Sequence, residues 1–504
     1  MNAPMQLISL ELAVAGLALL VLVLDLWTPA AHKPKLGYLA AAGVVGILLA
    51  SLFNQTDPAP GGVALAEFGF NKMYVADGLA TYFKQFFLLA AALVLLISID
   101  FADRIQSGIG EFYALILFAL AGMMFAASAN DFVLVFVSLE LITITFYVLT
   151  SFQRARLLSL EAGLKYLILG ALSTAFTVFG IAFVFGSTGA TNFSAIAAVA
   201  KNFTTDPIFL VGLVCVLAGL GFKIAAFPFQ FWAPDVYQGS PAPVTAFLAV
   251  GSKAAGFVLL LRVLFSAVPA VINHWSHLLM GLAALTILYG NLCAVPQRSL
   301  KRLMGYSSIS HAGYLLLGVA ALSTAGVGAV IFYLTGYLFT VVAAFTVIAV
   351  VTRNTESDDI SVLAGLGQRS PLLAAGLTLS MVSLAGIPPL AGFFGKFLLL
   401  KSILEKGGAH HGYYCLALVA VAGVVISLYY YGGVIRAIYW SRETPDLSPL
   451  PISLPTAICL WVCIAGMFAL GVNPDPVVVR STQAARSVEG KIISAAVPPQ
   501  GPGR

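Results

Sequence analysis

The sequence predicts an all-α, polytopic membrane protein of about fourteen transmembrane helices, including two inverted five-helix repeats with two discontinuous helices. Three observations carry this prediction. The 504 residues are 60% apolar and 9% charged, against about 45–50% and about 25% in soluble domains. Apolar runs recur at close to the roughly 20 residues that a spanning helix needs. Two of these runs are interrupted by proline, each beside a lysine.

A chain this apolar cannot hide its hydrophobic residues inside a water-soluble shape of its size, so its solvent is lipid. The formal charge of +5 is not gathered into a basic patch, and nucleic acid is not an expected partner. Cys215, Cys293, Cys415, Cys459 and Cys463 lie in apolar stretches with no CxxC and no metal-ligand spacing. They read as small buried apolar residues. The sequence carries no GxGxxG between strand and helix, no P-loop and no cysteine cluster for iron–sulfur, so no cofactor is expected in this chain.

The spans are placed near 4–28, 37–54, 78–98, 111–128, 130–152, 159–186, 207–226, 242–266, 277–295, 303–321, 325–351, 371–404, 412–440 and 452–472. The first lacks the positive start of a cleavable signal and runs on through Leu24, so it reads as retained. Residues 55–77, with Pro58, Pro60, Gly61 and Gly62, read as an extramembrane loop, and 473–504 as a polar tail that cannot span. Four units follow: 1–110 with three spans, 111–275 as the first repeat, 276–440 as the second, and 441–504 with the last span and the tail.

Numbering the loops from an external N-terminus places Lys33, Lys35, Arg104, Arg154, Arg156, Arg298, Lys301, Arg302, Arg353, Arg369, Arg436 and Arg442 on the cytoplasmic side. The opposite loops hold mainly Lys72, Lys201, Lys401 and Lys406. Positive residues favour the cytoplasm, so both termini are expected outside.

One break reads Gly221-Phe-Lys-Ile-Ala-Ala-Phe-Pro228, followed by Trp232 and Pro234. The other reads Gly386-Ile-Pro388-Pro389-Leu-Ala-Gly392-Phe-Phe-Gly395-Lys396. Proline removes a backbone donor and clashes one turn back. In lipid, freed backbone groups are tolerated only inside protein or beside a water-filled cavity. Glu140 to Lys223 is 83 residues and His311 to Lys396 is 85, while Tyr166, Leu167 and Gly170 resemble Tyr333, Leu334 and Gly336. The offset of roughly 170 residues corresponds to five spans, an odd number, which turns the second copy upside down. Broken helices meeting within inverted repeats are the construction of secondary transporters.

Glu140 lies near the middle of its expected span with no Lys or Arg within four residues. Lys223, Lys253 and Lys396 are equally deep, and none has an acid within one turn; Lys165 lies about two turns into its span. Each such residue costs about 2.5–3.5 kcal/mol at a helix centre, which a structural bundle would avoid with Leu or Ala. Burial disfavours the charged form of a lysine, so a buried ammonium can hand on its proton. These five residues are the candidate proton carriers, with His311 a further candidate on the path. Static roles remain open for some of them: Lys165 snorkelling to the cytoplasmic edge or pairing with Glu140, and His311 as a hydrogen-bonded core residue. Lys84, Arg262 and Lys401, near span ends, read as interfacial anchors.

The motifs Val137-Ser-Leu-Glu140-Leu, Gly221-Phe-Lys223, Phe-Trp-Ala-Pro-Asp235-Val-Tyr-Gln-Gly-Ser-Pro-Ala-Pro-Val-Thr245, Lys301-Arg-Leu-Met-Gly-Tyr-Ser-Ser-Ile-Ser-His311 and Gly386 to Lys396 resemble the antiporter-like subunits of respiratory complex I and their cation/proton antiporter relatives. The pattern is closest to the bacterial subunit N type, given Lys253, Lys396 and the short segment after 472. The resemblance implies a proton-translocating membrane-arm subunit of NADH:quinone oxidoreductase in the bacterial inner membrane, among other membrane subunits and lipids. It places NADH, FMN, iron–sulfur clusters and quinone in partner subunits. It further implies Glu140 and Lys165 as a charge pair, Lys223 and Lys253 as an inner relay and Lys396 as the outlet. A stand-alone Na+/H+ antiporter and a quinone-binding redox subunit are the alternative readings. The family's antiporters often carry an acid before the glycine where this chain has Gln238-Gly-Ser.

Overall fold

In a computed structural model, described over residues 3–53, 66–269, 275–353, 357–408, 410–440 and 447–496, helices follow one another with few interruptions. Residues 55–65 of the expected loop, and Arg442 from the expected charge bias, lie outside these residues. Short polar side chains start many of the helices. Asp77 accepts from the Ala80 N–H at 2.9 Å, Asp131 from Val133 at 2.8 Å and Ser299 from Arg302 at 3.1 Å. Each satisfies a donor that the helix itself leaves open.

Twelve helices among the described residues are long and apolar enough to cross a membrane. The expected spans at 303–321 and 371–404 fall outside that set. Leu300–Ala320 is helical, but Lys301, Arg302, Ser307, Ser308, Ser310 and His311 dilute its apolar surface. The other divides into Pro371–Ala385 and Ala391–Gly407. The apolar stretch of Ala242–Ala267 is wholly enclosed, and those of Gly78–Arg104, Ile109–Ala127 and Thr324–Val351 are largely so. Leu157–Thr188 instead turns Leu164, Ile168, Leu172 and Phe179 outward. A surface this apolar belongs against lipid or other membrane helices.

Close approach of backbones sets the centre. A Cβ on Gly290 would lie 2.4 Å from the Ser310 nitrogen, and one on Gly313 would lie 2.7 Å from the Ile287 nitrogen. Ser276–Ala294 and Leu300–Ala320 therefore pack through glycine, as membrane helices do where small residues let them meet.

Both expected breaks are present and are built alike. Pro207–Ile224 begins with proline and ends at Ala225, with φ +57°; Pro371–Ala385 begins with proline and ends at Gly386, with φ +84°. The chain resumes as Trp232–Gly239 after the first break and as Ala391–Gly407 after the second. Phe227–Pro228 and Pro388–Pro389 are cis.

A third irregularity was not expected. Ala242–Ala267 contains π-helical turns at Leu248–Ser252 and Val263–Ala267, on either side of the α-helical Lys253–Arg262. No proline lies in or between the two π turns, although the Gly251-Ser252 pair falls within the first.

Several expectations need correction. Within the polar tail expected after 472, Asp475–Ala496 is a helix lying against Gly78–Phe101 and Thr324–Val351. Ser481, Ala484, Ala485 and Val488 recur at helical spacing and are buried, so the segment is amphipathic rather than uniformly polar. Within the expected loop 55–77, Glu67–Gly69 and Tyr74–Ala76 form a small antiparallel hairpin. Cys415 faces outward rather than inward. Lys84 and Arg262 are not interfacial anchors. Lys84 Nζ lies 2.9 Å from Glu11 Oε1, and Arg262 makes a two-pronged bond to Asp77, with both pairs buried. The hairpin and the last helix cover the helix ends that sequence position alone would leave at the interface.

Removing one member of a buried ion pair strands the other, at a cost of about 3–5 kcal/mol. Glu11→Leu is therefore expected to lower the thermal unfolding midpoint of the detergent-purified protein clearly, and Glu11→Leu with Lys84→Met to recover most of the loss. A Glu11→Leu protein as stable as the parent would contradict the pairing.

Candidate proton-transfer site

Lys223 occupies the last turn of Pro207–Ile224, where the first break begins, and only 6% of its surface is exposed. Its ammonium donates to the Thr143 hydroxyl on Phe132–Thr150 and lies 5.9 Å from the centre of the Tyr166 ring. Tyr166 in turn stacks on Trp232, which follows the break, with ring centres 4.8 Å apart. Gly256, on the helix of Lys253, lies against the Lys223 side chain: a Cβ there would sit 3.3 Å from Lys223 Cβ.

Lys253 opens the α-helical segment after the first π turn. It is buried, donates to the carbonyl and hydroxyl of Ser308, and lies 5.8 Å from the centre of the Tyr337 ring. The Ser308 hydroxyl also meets Tyr237 at 2.9 Å and accepts from Tyr337 at 3.1 Å. One turn along, His311 Nδ1 meets the Tyr333 hydroxyl, and its Nε2 lies 3.0 Å from the Tyr431 hydroxyl, which also contacts Ser307. His311 lies three residues from Ser308, which holds Lys253, and three from Tyr314, whose ring faces Lys396.

Lys396 sits beyond the second break and reaches back across it. Its ammonium donates to the Leu384 carbonyl at 2.7 Å and the Ala385 carbonyl at 3.1 Å, the last two residues of Pro371–Ala385. Gly386 is needed there twice over, for its positive φ and because a Cβ would lie 2.9 Å from Lys396 Cδ. Tyr314 presents its ring 4.9 Å from the ammonium. Lys223, Lys253 and Lys396 thus share one description: each is enclosed, each is held by neutral oxygens and an aromatic face, and none forms an ion pair with a carboxylate among the described residues.

Glu140 is half-buried and accepts from the Thr174 hydroxyl at 2.7 Å. It lines an open lateral cleft of about 790 Å³ between Phe132–Thr150 and Leu157–Thr188, together with Ile144, Tyr147 and Leu167. Glu140 lies one helical turn before Thr143, the residue that holds Lys223. The charge pair that the resemblance implied is not the contact formed. Lys165 Nζ bonds instead to Asp235 at 2.8 Å and Glu161 at 2.6 Å, and 42% of its side chain is exposed. Asp235 has Arg302 as its second partner. Glu161 precedes Lys165 by one helical turn, a signal legible in the sequence; Asp235, seventy residues away, is brought in by Trp232–Gly239 packing on Leu157–Thr188.

Sequence reading also missed Lys301. It is buried and donates to the Ser240 carbonyl at 2.7 Å and the Gln238 carbonyl at 3.3 Å, at the end of Trp232–Gly239. Its place in the first turn of Leu300–Ala320 marks it, by sequence, as an ordinary loop-side cation. Among the described residues, no three His, Cys, Asp or Glu side chains converge as a metal site would require.

Residues 129–427 match the family described as NADH:quinone oxidoreductase/Mrp antiporter, TM. NADH-quinone oxidoreductase subunit N of Moorella thermoacetica is 41% identical over 474 residues, 94% of this chain and 97% of that protein. The subunit N of Trichlorobacter lovleyi is 40% identical over 480 residues, covering 95% and 96%. A chain of respiratory complex I from Thermus thermophilus, solved with bound aureothin, superposes with a TM-score of 0.77 at 32% identity, over 93% of this chain and 98% of that one. A chain of the Mrp complex from Dietzia sp. shares the fold, with a TM-score of 0.83 at 22% identity over 98% and 99%. The chain belongs to the NADH:quinone oxidoreductase/Mrp antiporter membrane family, among its NADH-quinone oxidoreductase subunit N members.

Proposed function

We propose that this chain is the subunit of an NADH:quinone oxidoreductase that carries protons through the membrane by way of Lys223, Lys253 and Lys396. The observation that carries the reading is the shared state of these lysines: enclosed, held by neutral oxygens and without an ion-paired carboxylate. A lysine serving only as a counter-charge would be locked to an acid. One held by hydroxyls and carbonyls can lose its proton without stranding a partner charge.

In this reading Glu140 sets the charge state of Lys223 from the lateral cleft, and Lys165 with Asp235 controls the cytoplasmic approach. Protons enter from the cytoplasm at Lys223, pass to Lys253 and through the tyrosine-flanked His311, and leave outside from Lys396. Moving one charge against about 100 mV costs about 2.3 kcal/mol, less than two pKa units of change in a relay group supply. NADH, FMN, iron–sulfur clusters and quinone act in partner subunits, and neighbouring membrane subunits and lipids cover the lateral surface. Residues 111–275 and 276–440 form the two inverted repeats, and the chain lies in a bacterial inner membrane with both termini outside.

Topology is tested by single cysteines at two exposed positions. Arg298→Cys is expected to react with an impermeant reagent only from the cytoplasm, and His410→Cys only from outside. Labelling of both from one side would end the inverted-repeat arrangement.

Glu140→Gln keeps size and hydrogen bonding but removes charge. In the assembled complex it is expected to slow quinone reduction and proton transport together, leaving NADH oxidation by an artificial acceptor intact. Normal pumping would make Glu140 structural.

Arginine separates a proton carrier from a fixed positive charge, because a guanidinium stays protonated in proteins. Lys223→Arg and Lys396→Arg are expected to lower pumping about as much as alanine does, by about 100-fold, the scale on which a positioned proton carrier acts. Assembly is checked first, since added volume in a packed bundle costs about 1–3 kcal/mol. Near-normal pumping by both assembled variants would refute the relay.

A further inference from the structure

Two features of Ala242–Ala267 have no part in the relay itself: its paired π turns and its fully buried Arg262. Single π turns inside α-helices are rare and concentrate at functional sites. A π turn holds one residue more than an α turn, so it re-phases everything beyond it by about 100°, the rotation of one residue. The rotational setting of Lys253–Arg262 is thus decided by turns at both of its ends. Lys253 is its first residue and Arg262 its last, about 13 Å apart along the axis at about 1.5 Å per residue.

Arg262 is held at three points. Its Nη1 donates to Asp77 Oδ2 at 3.0 Å, its Nη2 to Asp77 Oδ1 at 2.8 Å, and its Nε to the Ala127 carbonyl at 2.7 Å. A planar fork with two parallel bonds fixes orientation as well as distance, which an ammonium cannot do. The acceptors are themselves anchored: Asp77 caps Gly78–Phe101, and Ala127 ends Ile109–Ala127. At the other end, Lys253 is held by Ser308 and the Tyr337 ring, with no bidentate contact of its own.

We infer that Arg262, clamped by Asp77 and the Ala127 carbonyl, is a positioning residue that sets the rotation of Lys253–Arg262 and thereby aims Lys253 at Ser308. Its consequence for transport rests on the relay reading of Lys253; its geometry does not. With the clamp open, relaxation of either π turn to α geometry turns the segment by about 100° and takes Lys253 away from Ser308, the serine shared with Tyr237 and Tyr337.

The test uses the assembled complex in native membranes and two variants of the clamp. Arg262→Lys keeps the charge and loses the fork; Asp77→Asn keeps the shape and loses the charge. The substitutions Lys253→Cys and Ser308→Cys are introduced together and bridged with a short bifunctional thiol reagent, in the parent and in each clamp variant. The bridged yield is expected to fall several-fold in both variants at equal chain content; an unchanged yield overturns the inference. With Lys253 and Ser308 intact, Arg262→Lys is expected to lower the protons pumped per electron, yet to add no further loss to Lys253→Met. Independent, multiplying losses in the double variant would make Arg262 structural only and equally overturn the inference. Normal pumping by Lys253→Met would refute the relay reading, and the bridged yield would still decide the positioning.

Discussion

A lysine ammonium held away from water needs oxygen atoms around it, and the interior of a continuous membrane helix offers few, because its carbonyls already bond within the helix and have one lone pair left. The centre of this protein is arranged around that shortage. Where the chain breaks, carbonyls come free, and Lys396 takes two of them from Leu384 and Ala385. Elsewhere hydroxyls serve: Thr143 for Lys223 beside the first break, and Ser308, together with its carbonyl, for Lys253. Lys301, deep beside Trp232–Gly239, again uses carbonyls at a helix end.

The two breaks meet the need in different ways and arrive at similar electrostatics. Lys223 belongs to the half-helix that ends beside it, whereas Lys396 belongs to the following one and reaches across. In both cases the ammonium lies at the C-terminal end of a half-helix, where the summed peptide dipoles are negative. That field favours a cation without contributing a full negative charge. A carboxylate in the same place would hold the proton more firmly and would leave a buried anion behind once it departed. The aromatic faces of Tyr166, Tyr337 and Tyr314 extend the same weak attraction.

Much of this arrangement was legible in the sequence because its causes are local. Pro228, Pro388 and Pro389 mark breaks wherever they fall in an apolar run, and a lysine or glutamate deep in such a run stands out by its cost. What escaped notice depends on contacts far apart in the chain. The partner of Lys165 is Asp235 rather than Glu140 because the short Trp232–Gly239 helix folds back onto Leu157–Thr188. Lys84 and Arg262 looked like anchors because span ends usually meet water, yet each is buried against a partner far away in the chain, Glu11 and Asp77. The π turns around Lys253 contain no proline, and the Gly251-Ser252 pair within the first is a fainter mark than a proline break. Asp475–Ala496 was hidden by its low overall hydrophobicity, although its small residues follow helical spacing.

That last helix also bears on the order in which the molecule is made. The Ser487 hydroxyl accepts from the backbone N–H of Leu79 at 3.1 Å, in the first turn of Gly78–Phe101. The two residues are 408 positions apart, so at a synthesis rate of about 5–20 residues per second the early helix waits roughly 20–80 s for its cover. Through that interval the face of Gly78–Phe101 that Asp475–Ala496 later covers has no counterpart on the nascent chain. Insertion of the first spans and closure of the bundle are therefore separate events in time, and the second is timed by the ribosome rather than by the membrane.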